Sequence, residues 1–305
     1  MGLERSGLVS VIMPVYNREA TVRDAVQSIL EQTYEYFELI IVDDASTDCS
    51  ASIIQGIEDR RIRFYSHETN KGGSAARNTG ILMAQGKWIA FQDSDDIWKR
   101  DKLEKQMNYV SEMDQVSPSI IYTSFIRHKD GKQELIPQAD HRKKQGDIHK
   151  ELIEENFIST QTVLLPKECF NHNEMFAEDL PRFQDWELWL RLSLSYRFVW
   201  IEEPLVDVFY TEESISSNHK KLVLAYEKIL DKHQHLFEQA GSYYLASYLC
   251  SYGHNLCLAG DTKRGRKVLF QAYRENKKSL KCFLSMISCI FGTRFYKKLY
   301  SYYNR

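Results

Sequence analysis

The sequence predicts an α/β protein built on a mostly parallel, doubly wound central sheet flanked by helices, with an all-helical C-terminal extension. Three observations carry this prediction. Short apolar runs alternate with helix-period segments through the first 113 residues. Polar residues sit at or just beyond the C-terminal ends of the predicted strands, where sheets of this kind bind ligands. From Asn218 onward the pattern reads as helical.

In chain order, residues 8–14 (LVSVIMP) read as a buried strand ending at a proline. Residues 20–32 follow as an amphipathic helix with Val22, Val26, Ile29 and Leu30 on one side. Residues 37–42 (FELIIV) form a second strand with Asp43 and Asp44 at its end. Ser46 or Thr47 caps the next helix, which reaches about residue 57. A third strand covers 62–65. Asn70-Lys71-Gly72-Gly73 is a glycine loop, and 74–84 is a helix. The fourth strand, 87–92 (KWIAFQ), runs into Asp93-Ser94-Asp95-Asp96, and 99–113 is helical again. After a strand at 119–125 the pattern loosens. Residues 127–150 are polar and read as loop, 161–165 as a strand, 186–194 (WELWLRLSL) as an apolar helix and 198–201 as a short strand.

Composition is that of a soluble globular chain: 43% hydrophobic and 27% charged over 305 residues, with no low-complexity run. The six cysteines include no C-x-x-C pair, which disfavours zinc ribbons and thioredoxin-like chemistry. Buried free thiols in a reducing cytoplasm are the expectation. The N-terminus lacks the apolar core of a signal peptide, and the apolar stretch at 282–291 is short of the roughly 20 residues that span a bilayer. The expected location is therefore the cytoplasm, in solution or attached to one leaflet, and no nucleic-acid partner is expected. The net charge of −2 is unevenly spread: residues 261–305 carry +10 and the rest −12. A basic end fits an anionic surface or a solvated helix face.

A D-x-D at a strand end suits a hard divalent cation bound to a diphosphate. Asp93 and Asp95 occupy such a place. Asp44 is placed to accept from the N3–H of a pyrimidine, or to cap the helix that follows. Lys71-Gly72-Gly73 lets the backbone approach phosphates, or is a plain turn. Arg77, just after it, meets phosphate or base, or solvent. Asp185, at the mouth of an apolar helix, suits a general base or an N-terminal helix residue.

These residues resemble the family 2 inverting glycosyltransferases, which have the GT-A nucleotide-diphospho-sugar transferase fold. The matching segments are VSVIMPVYN at 9–17, FELIIVDDASTD at 37–48, NKGGSAARNTG at 70–80, GKWIAFQDSDD at 86–96 and FQDWELWLRL at 183–192. The resemblance covers about residues 7–217. It implies a nucleoside-diphosphate sugar donor, usually a UDP-sugar, and a saccharide or lipid-linked saccharide acceptor, as in bacterial cell-surface polysaccharide assembly. It also implies Mn²⁺ or Mg²⁺ and inversion by a single displacement. Carried over by position, Pro14 and Tyr16 line the nucleotide pocket, Asp44 recognises the base and Arg77 lies near the nucleotide. Asp93 serves the ribose or metal, Asp95 is the principal metal ligand and Asp185 is the catalytic base. Many relatives have Glu-Asp where this chain has Gln184-Asp185. Many also place a histidine before an S-x-S element, whereas residues 210–216 here read YTEESIS, leaving the third metal ligand open.

The expected division is a catalytic domain at 1–217 and a helical extension at 218–305. Within the extension, Leu249, Tyr252, Gly253, Leu256, Gly260, Gly265, Leu269 and Ala272 resemble one tetratricopeptide-like hairpin. Residues 277–298 combine apolar and basic side chains, and read either as an interfacial helix on the inner face of the plasma membrane or as a helix packed on that hairpin. Rival functions fare less well. A processive synthase lacks its Q-x-x-R-W motif and membrane spans here, and a dinucleotide dehydrogenase lacks G-x-G-x-x-G after the first strand. A non-catalytic nucleotide-sugar binder or scaffold would not need Asp44, Asp95 and Asp185 together.

Overall fold

Strands β1 (Val9–Val15), β2 (Phe37–Asp43), β3 (Ile62–Ser66) and β4 (Trp88–Phe91) lie side by side in the order β3-β2-β1-β4, all parallel. Val9 sits opposite both Phe37 and Trp88. β1 and β2 are buried on both faces, which is why they read as unbroken apolar runs. The computed structural model describes residues 7–112, 119–138, 144–171, 175–210, 219–289 and 296. They fall into two units: Met1–His149 with Phe157–Glu178 and Gln184–Thr211, and Lys150–Asn156 with Asp179–Phe183 and Glu212–Arg305.

Helix α1 (Val22–Leu30) buries Val22, Val26 and Ile29 of the expected stripe together with Ala25, while Leu30 is half-buried. α2 (Ser50–Gln55) is short. α3 (Gly73–Met83) starts at the glycine loop and buries a small-residue face that includes Ala75, Ala76 and Gly80. After β4 come β5 (Ile97–Trp98), α4 (Lys102–Glu112), β6 (Ser119–Lys129), β7 (Lys132–Ile136), α5 (His149–Glu154), β8 (Val163–Pro166), α6 (Gln184–Leu192) and β9 (Arg197–Phe209). The sheet continues from β4 as β8-β6-β9-β5, with β7 on β6. β8 is antiparallel to both neighbours, while β9 runs parallel to β6 with two register shifts. The sheet is thus parallel in its first half and mixed in its second.

Part of the stretch expected as loop is ordered. β6 runs on to Lys129, turns through Asp130 and Gly131 at φ 51° and 73°, and returns as β7. Two successive positive φ angles at Asp-Gly are the signature of a tight hairpin turn. β9 is also much longer than the four residues expected of it.

The second unit contains α7 (His219–Ala240), α8 (Ser242–Ala259), α9 (Thr262–Glu275) and α10 (Leu280–Ser288). α8 ends at left-handed Gly260, and Asp261 caps α9 by accepting from the Arg264 N–H at 3.0 Å. α8 and α9 approach closely at two glycines. A Cβ on Gly265 would stand 2.4 Å from Cys257 Sγ, and one on Gly253 would stand 2.8 Å from Leu269 Cγ. Leu249 and Cys257 of α8, Leu269 and Ala272 of α9, and Cys282 and Cys289 at α10 belong to one buried core. Five of the six cysteines are buried as expected, but Cys49 is exposed. Tyr226 of α7 packs edge-on against Phe183 and Tyr248. Among the described residues, no helix is long and apolar enough to cross a membrane.

Candidate active site

The C-terminal ends of β1, β2 and β4 lie together at one edge of the sheet, and backbone bonds extend the ladder past the strands. Asp44 N–H donates to Val15 O at 2.8 Å and Gln92 N–H to Ile12 O at 3.0 Å. Asn17 adopts a left-handed φ of 50°, which asparagine tolerates, and its Oδ1 accepts from Thr47 N–H at 2.8 Å. Ser50 Oγ accepts from Arg18 N–H at 2.7 Å, so the loops after β1 and β2 are stitched together. Pro14 is half-buried in β1, and Tyr16 is 43% exposed at its end.

Asp44 is buried and anchors the glycine loop. Its carboxylate accepts from Lys71 N–H at 2.9 Å and Gly72 N–H at 2.7 Å. His67 Nδ1 lies 2.7 Å from the same carboxylate, and His67 Nε2 lies 2.9 Å from Thr79 Oγ1. Gly72 takes φ +91°, which a residue with a side chain would hold only under strain. The loop that begins α3 is therefore held at both ends of one carboxylate. His67 carried no sequence signal, because its partners lie 12 and 23 residues away.

The Asp93-Ser94-Asp95-Asp96 run divides its carboxylates between two tasks. Asp93 accepts from Arg77 Nη2 at 2.6 Å, and Asp95 pairs with Arg18 Nε at 3.2 Å. Asp96 turns inward, accepting from Gln161 Nε2 at 2.5 Å and Phe209 N–H at 2.9 Å. It ties the run to β9 and to the 3-10 turn Thr160–Thr162. Burial, followed by the charges of Asp93 and Asp95, pushes its carboxyl well above the usual range. Burial and then Asp93 also raise Asp95, against the pull of Arg18. Such a site favours added positive charge. Carboxylate oxygens are the donor type that a hard divalent cation takes, so Asp93 and Asp95 fit one by their chemistry. Among the described residues no cluster of three or more His, Cys, Asp or Glu side chains forms a metal cage. Residues 211–218, where the relatives' histidine loop would fall, lie outside the described residues, and His219 begins α7.

Asp185 lies in the first turn of α6, half-buried, with Oδ1 accepting from Trp186 N–H at 2.7 Å. α6 is braced by a buried pair: Glu187 binds Arg191 through Nε and Nη2, both at 2.9 Å. Arg191 Nη2 also donates to Met175 O at 2.8 Å. The next residue, Phe176, is clipped to α3 by Asn78, whose Oδ1 accepts from Phe176 N–H and whose amide donates to Phe176 O, both at 2.9 Å. The Arg77 guanidinium lies 5.6 Å above the Phe176 ring. Residues 175–176 thus link the helix bearing Asp185 to the helix bearing Arg77, whose partner is Asp93. Arg18, Asn78 and Phe176 were not singled out from sequence. The first two stand inside or beside the recognised YN and ARN segments, and Phe176 had no such context. A groove of about 1050 Å³ at the N-terminal ends of β1–β3 is lined by Arg60, Arg61, Arg100 and several acids, and contains none of the predicted residues.

Residues 10–172 match the family described as Glycosyl transferase family 2. The chain is 34% identical over 218 residues to the teichuronic acid biosynthesis glycosyltransferase TuaG of Bacillus subtilis, covering 70% of this chain and 83% of that protein. It is 33% identical over 220 residues to WfgD of Escherichia coli, covering 70% and 81%. WfgD is named as a UDP-Glc:alpha-D-GlcNAc-diphosphoundecaprenol beta-1,3-glucosyltransferase. Against a longer glycosyltransferase of Rickettsia felis the match is 34% identical over 201 residues and spans only 32% of that protein's length. Among solved structures, Staphylococcus aureus TarS 1–349 with UDP-GlcNAc matches at a TM-score of 0.63 and 18% identity, covering 90% of this chain and 89% of that one. Mannosyltransferase PcManGT of Pyrobaculum calidifontis, with GDP-Man and Mn²⁺, matches at 0.55 and 17%, covering 94% and 85%. The parallel half-sheet with its carboxylates at the strand ends is a GT-A fold, and with more than half its length matched this chain belongs to glycosyl transferase family 2 and is a glycosyltransferase.

Proposed function

We propose that this chain transfers a hexose from a nucleoside-diphosphate sugar, with UDP as the nucleotide, to a hydroxyl of a saccharide or lipid-linked saccharide, inverting the anomeric centre. The observation that carries this is the pairing of Asp93 and Asp95 with Arg77 and Arg18 beside the glycine loop anchored by Asp44. Arginines that meet carboxylates in the free protein are suited to meet phosphate oxygens when a donor is bound. Pro14 and Tyr16 flank the same strand ends and line the nucleotide side. Asp44 supports base recognition by fixing the glycine loop at the end of β2 through both of its carboxylate oxygens.

Mn²⁺ or Mg²⁺ fits Asp95 as principal ligand, with Asp93 beside it. When bound, it offsets the charge that builds on the departing diphosphate. Asp185 takes the proton from the acceptor hydroxyl. Base catalysis of this kind contributes about 10²–10⁴-fold. The donor named for WfgD, the nucleotide sugar bound to TarS and the Mn²⁺ in PcManGT support the nucleotide and metal parts of the reading. The acceptor named for WfgD supports a lipid-linked saccharide, and with it a peripheral position at the cytoplasmic face of the plasma membrane.

The test is a screen of nucleotide sugars for Mn²⁺-dependent transfer and hydrolysis, repeated with two variants. Asp185→Asn is expected to retain nucleotide binding and to lose turnover by about 10²-fold or more. Asp95→Ala is expected to uncouple Mn²⁺ binding from UDP binding. Unchanged turnover in the first variant would overturn the base assignment, and unchanged Mn²⁺–UDP coupling in the second would overturn the metal assignment.

A further inference from the structure

The second unit carries an exposed surface made of none of the candidate site residues. In α9 the residues Lys263, Lys267, Phe270 and Arg274 are spaced by four, three and four, so they share one helical face. All are exposed, Phe270 at 52%, and Arg266 flanks them. The opposite face buries Gly265, Leu269 and Ala272. On α10, Phe283 and Leu284 are also exposed, at 38% and 46%. The Phe283 ring lies 5.6 Å from that of Tyr273 in α9, so the two helices present their apolar side chains along adjoining ridges.

The charges around this patch are unusual. Among the described residues, Lys263, Arg266, Lys267 and Arg274 form no ion pair, whereas Arg264, on another side of α9, binds Glu227 at 2.6 Å. The only acid within α9 is Glu275. An ordinary solvated helix face intersperses both signs of charge at i, i+4 spacing. Here uncompensated cations surround exposed aromatic and aliphatic side chains. A second copy of this chain docking through the same face would bring these like charges together, which disfavours it. An anionic surface with an apolar interior satisfies both features.

We propose that this face of α9 and α10 docks on an anionic lipid bilayer, with the cations among headgroup phosphates and Phe270, Phe283 and Leu284 at the headgroup–acyl boundary. The inference gives a surface to the peripheral membrane contact proposed above and rests on that reading, but not on the transfer chemistry. It also extends the contact beyond the segment expected in the sequence: Phe283 and Leu284 belong to residues 277–298, whereas Lys263, Lys267, Phe270 and Arg274 lie on α9 before it. Within residues 277–298, Cys282, Ser288 and Cys289 are buried, and residues 290–295 and 297–298 lie outside the described residues.

Sedimentation of the full-length chain with phosphatidylcholine vesicles, and with vesicles containing phosphatidylglycerol, tests it. Binding is expected to the anionic vesicles, little to the neutral ones, and to weaken as salt rises. Each cation near such a surface contributes about fivefold in partitioning. Lys263→Glu with Lys267→Glu should therefore reduce binding by about 25-fold or more. Phe270→Ser with Phe283→Ser should reduce it while leaving its salt dependence in place. UDP affinity and thermal stability, measured on the same samples, should stay at wild-type values and so separate surface loss from misfolding and from failure of the enzymatic reading. Absence of binding to anionic vesicles, or binding untouched by both double variants, overturns the proposal. So does a concentration-dependent dimer that Phe270→Ser with Phe283→Ser abolishes, since that assigns the face to a second copy.

Discussion

The side chain of Asn78 uses its carbonyl and its amide on residues 176–178: it accepts from Phe176 N–H and donates to Phe176 O and to Glu178 Oε1 at 2.8 Å. Asn78→Ala leaves a buried N–H and C=O without partners, at about 1–3 kcal/mol each. Asn78→Asp is nearly isosteric, yet turns an acceptor toward a carbonyl and a carboxylate. It is expected to destabilise more than alanine at pH 7 in urea unfolding; the reverse order would show that the amide's donors are not what holds residue 176. Glu38 gives a pH-dependent counterpart. Burial raises its carboxyl, but hydrogen bonds from Ser10 Oγ, Arg63 Nη1 and Gln85 N–H outweigh this and hold it below its ordinary value. A lowered folded pKa contributes stability that is present above the unfolded value of about 4.3 and is lost as pH falls through the folded value. Glu38→Gln should therefore be less stable than wild type at pH 7 by about 1–3 kcal/mol, with the gap narrowing below about pH 4. A gap that stays constant from pH 7 to pH 3.5 would contradict the account.

At the scale of elements, the α8–α9 crossing depends on two glycines facing each other's helix. A methyl at Gly265 meets Cys257 Sγ and also Gly253 O at 2.9 Å, so the side chain can yield but the backbone cannot. Gly265→Ala should cost about 1–3 kcal/mol, as overpacking does. Adding Cys257→Ala should restore only part of that loss in thermal unfolding; full rescue would mean the helices are free to part. Both glycines were legible in the sequence as small positions of a hairpin. So was the parallel half of the sheet, because strands buried on both faces leave apolar runs that little else produces. The β6–β7 hairpin was not. Lys132, Gln133 and Glu134 leave its outer strand half-exposed or more, so no apolar period marks it, although Asp130-Gly131 announced the turn. β9 was cut short for a related reason: Glu202, Glu203 and Pro204 interrupt its pattern where the register with β6 shifts. At the site, the carboxylates were legible from their places at strand ends. The contacts that hold them, such as His67 with Asp44 and Gln161 with Asp96, join residues 23 and 65 positions apart, and no local pattern encodes such pairs.

For the whole molecule, the second unit is not simply the end of the chain. Residues 150–156 and 179–183 belong to it as well. Within that unit Phe183 packs on Tyr226 and Lys228 binds Asp179 at 2.8 Å. Phe183 stands immediately before α6, at a left-handed φ of 63°, two residues before Asp185. A chain ending at residue 217 removes the partners of these segments while leaving Asp44, Arg77 and Asp93 untouched. It is expected to bind UDP and to lose transfer by about 10²-fold, the scale of a misplacement near 1 Å; full activity in the shortened chain would show that Phe183 needs no support from α7. The backbone passes between the two units five times. Such a pattern limits how the protein can be recombined. A crossover that exchanged only the terminal helices between two relatives would pair them with foreign versions of 150–156 and 179–183, and the hybrid would inherit mismatched halves of one core. Functional chimeras are expected only where all three stretches travel together, so in evolution the helical extension would diverge in step with two short segments in the middle of the gene.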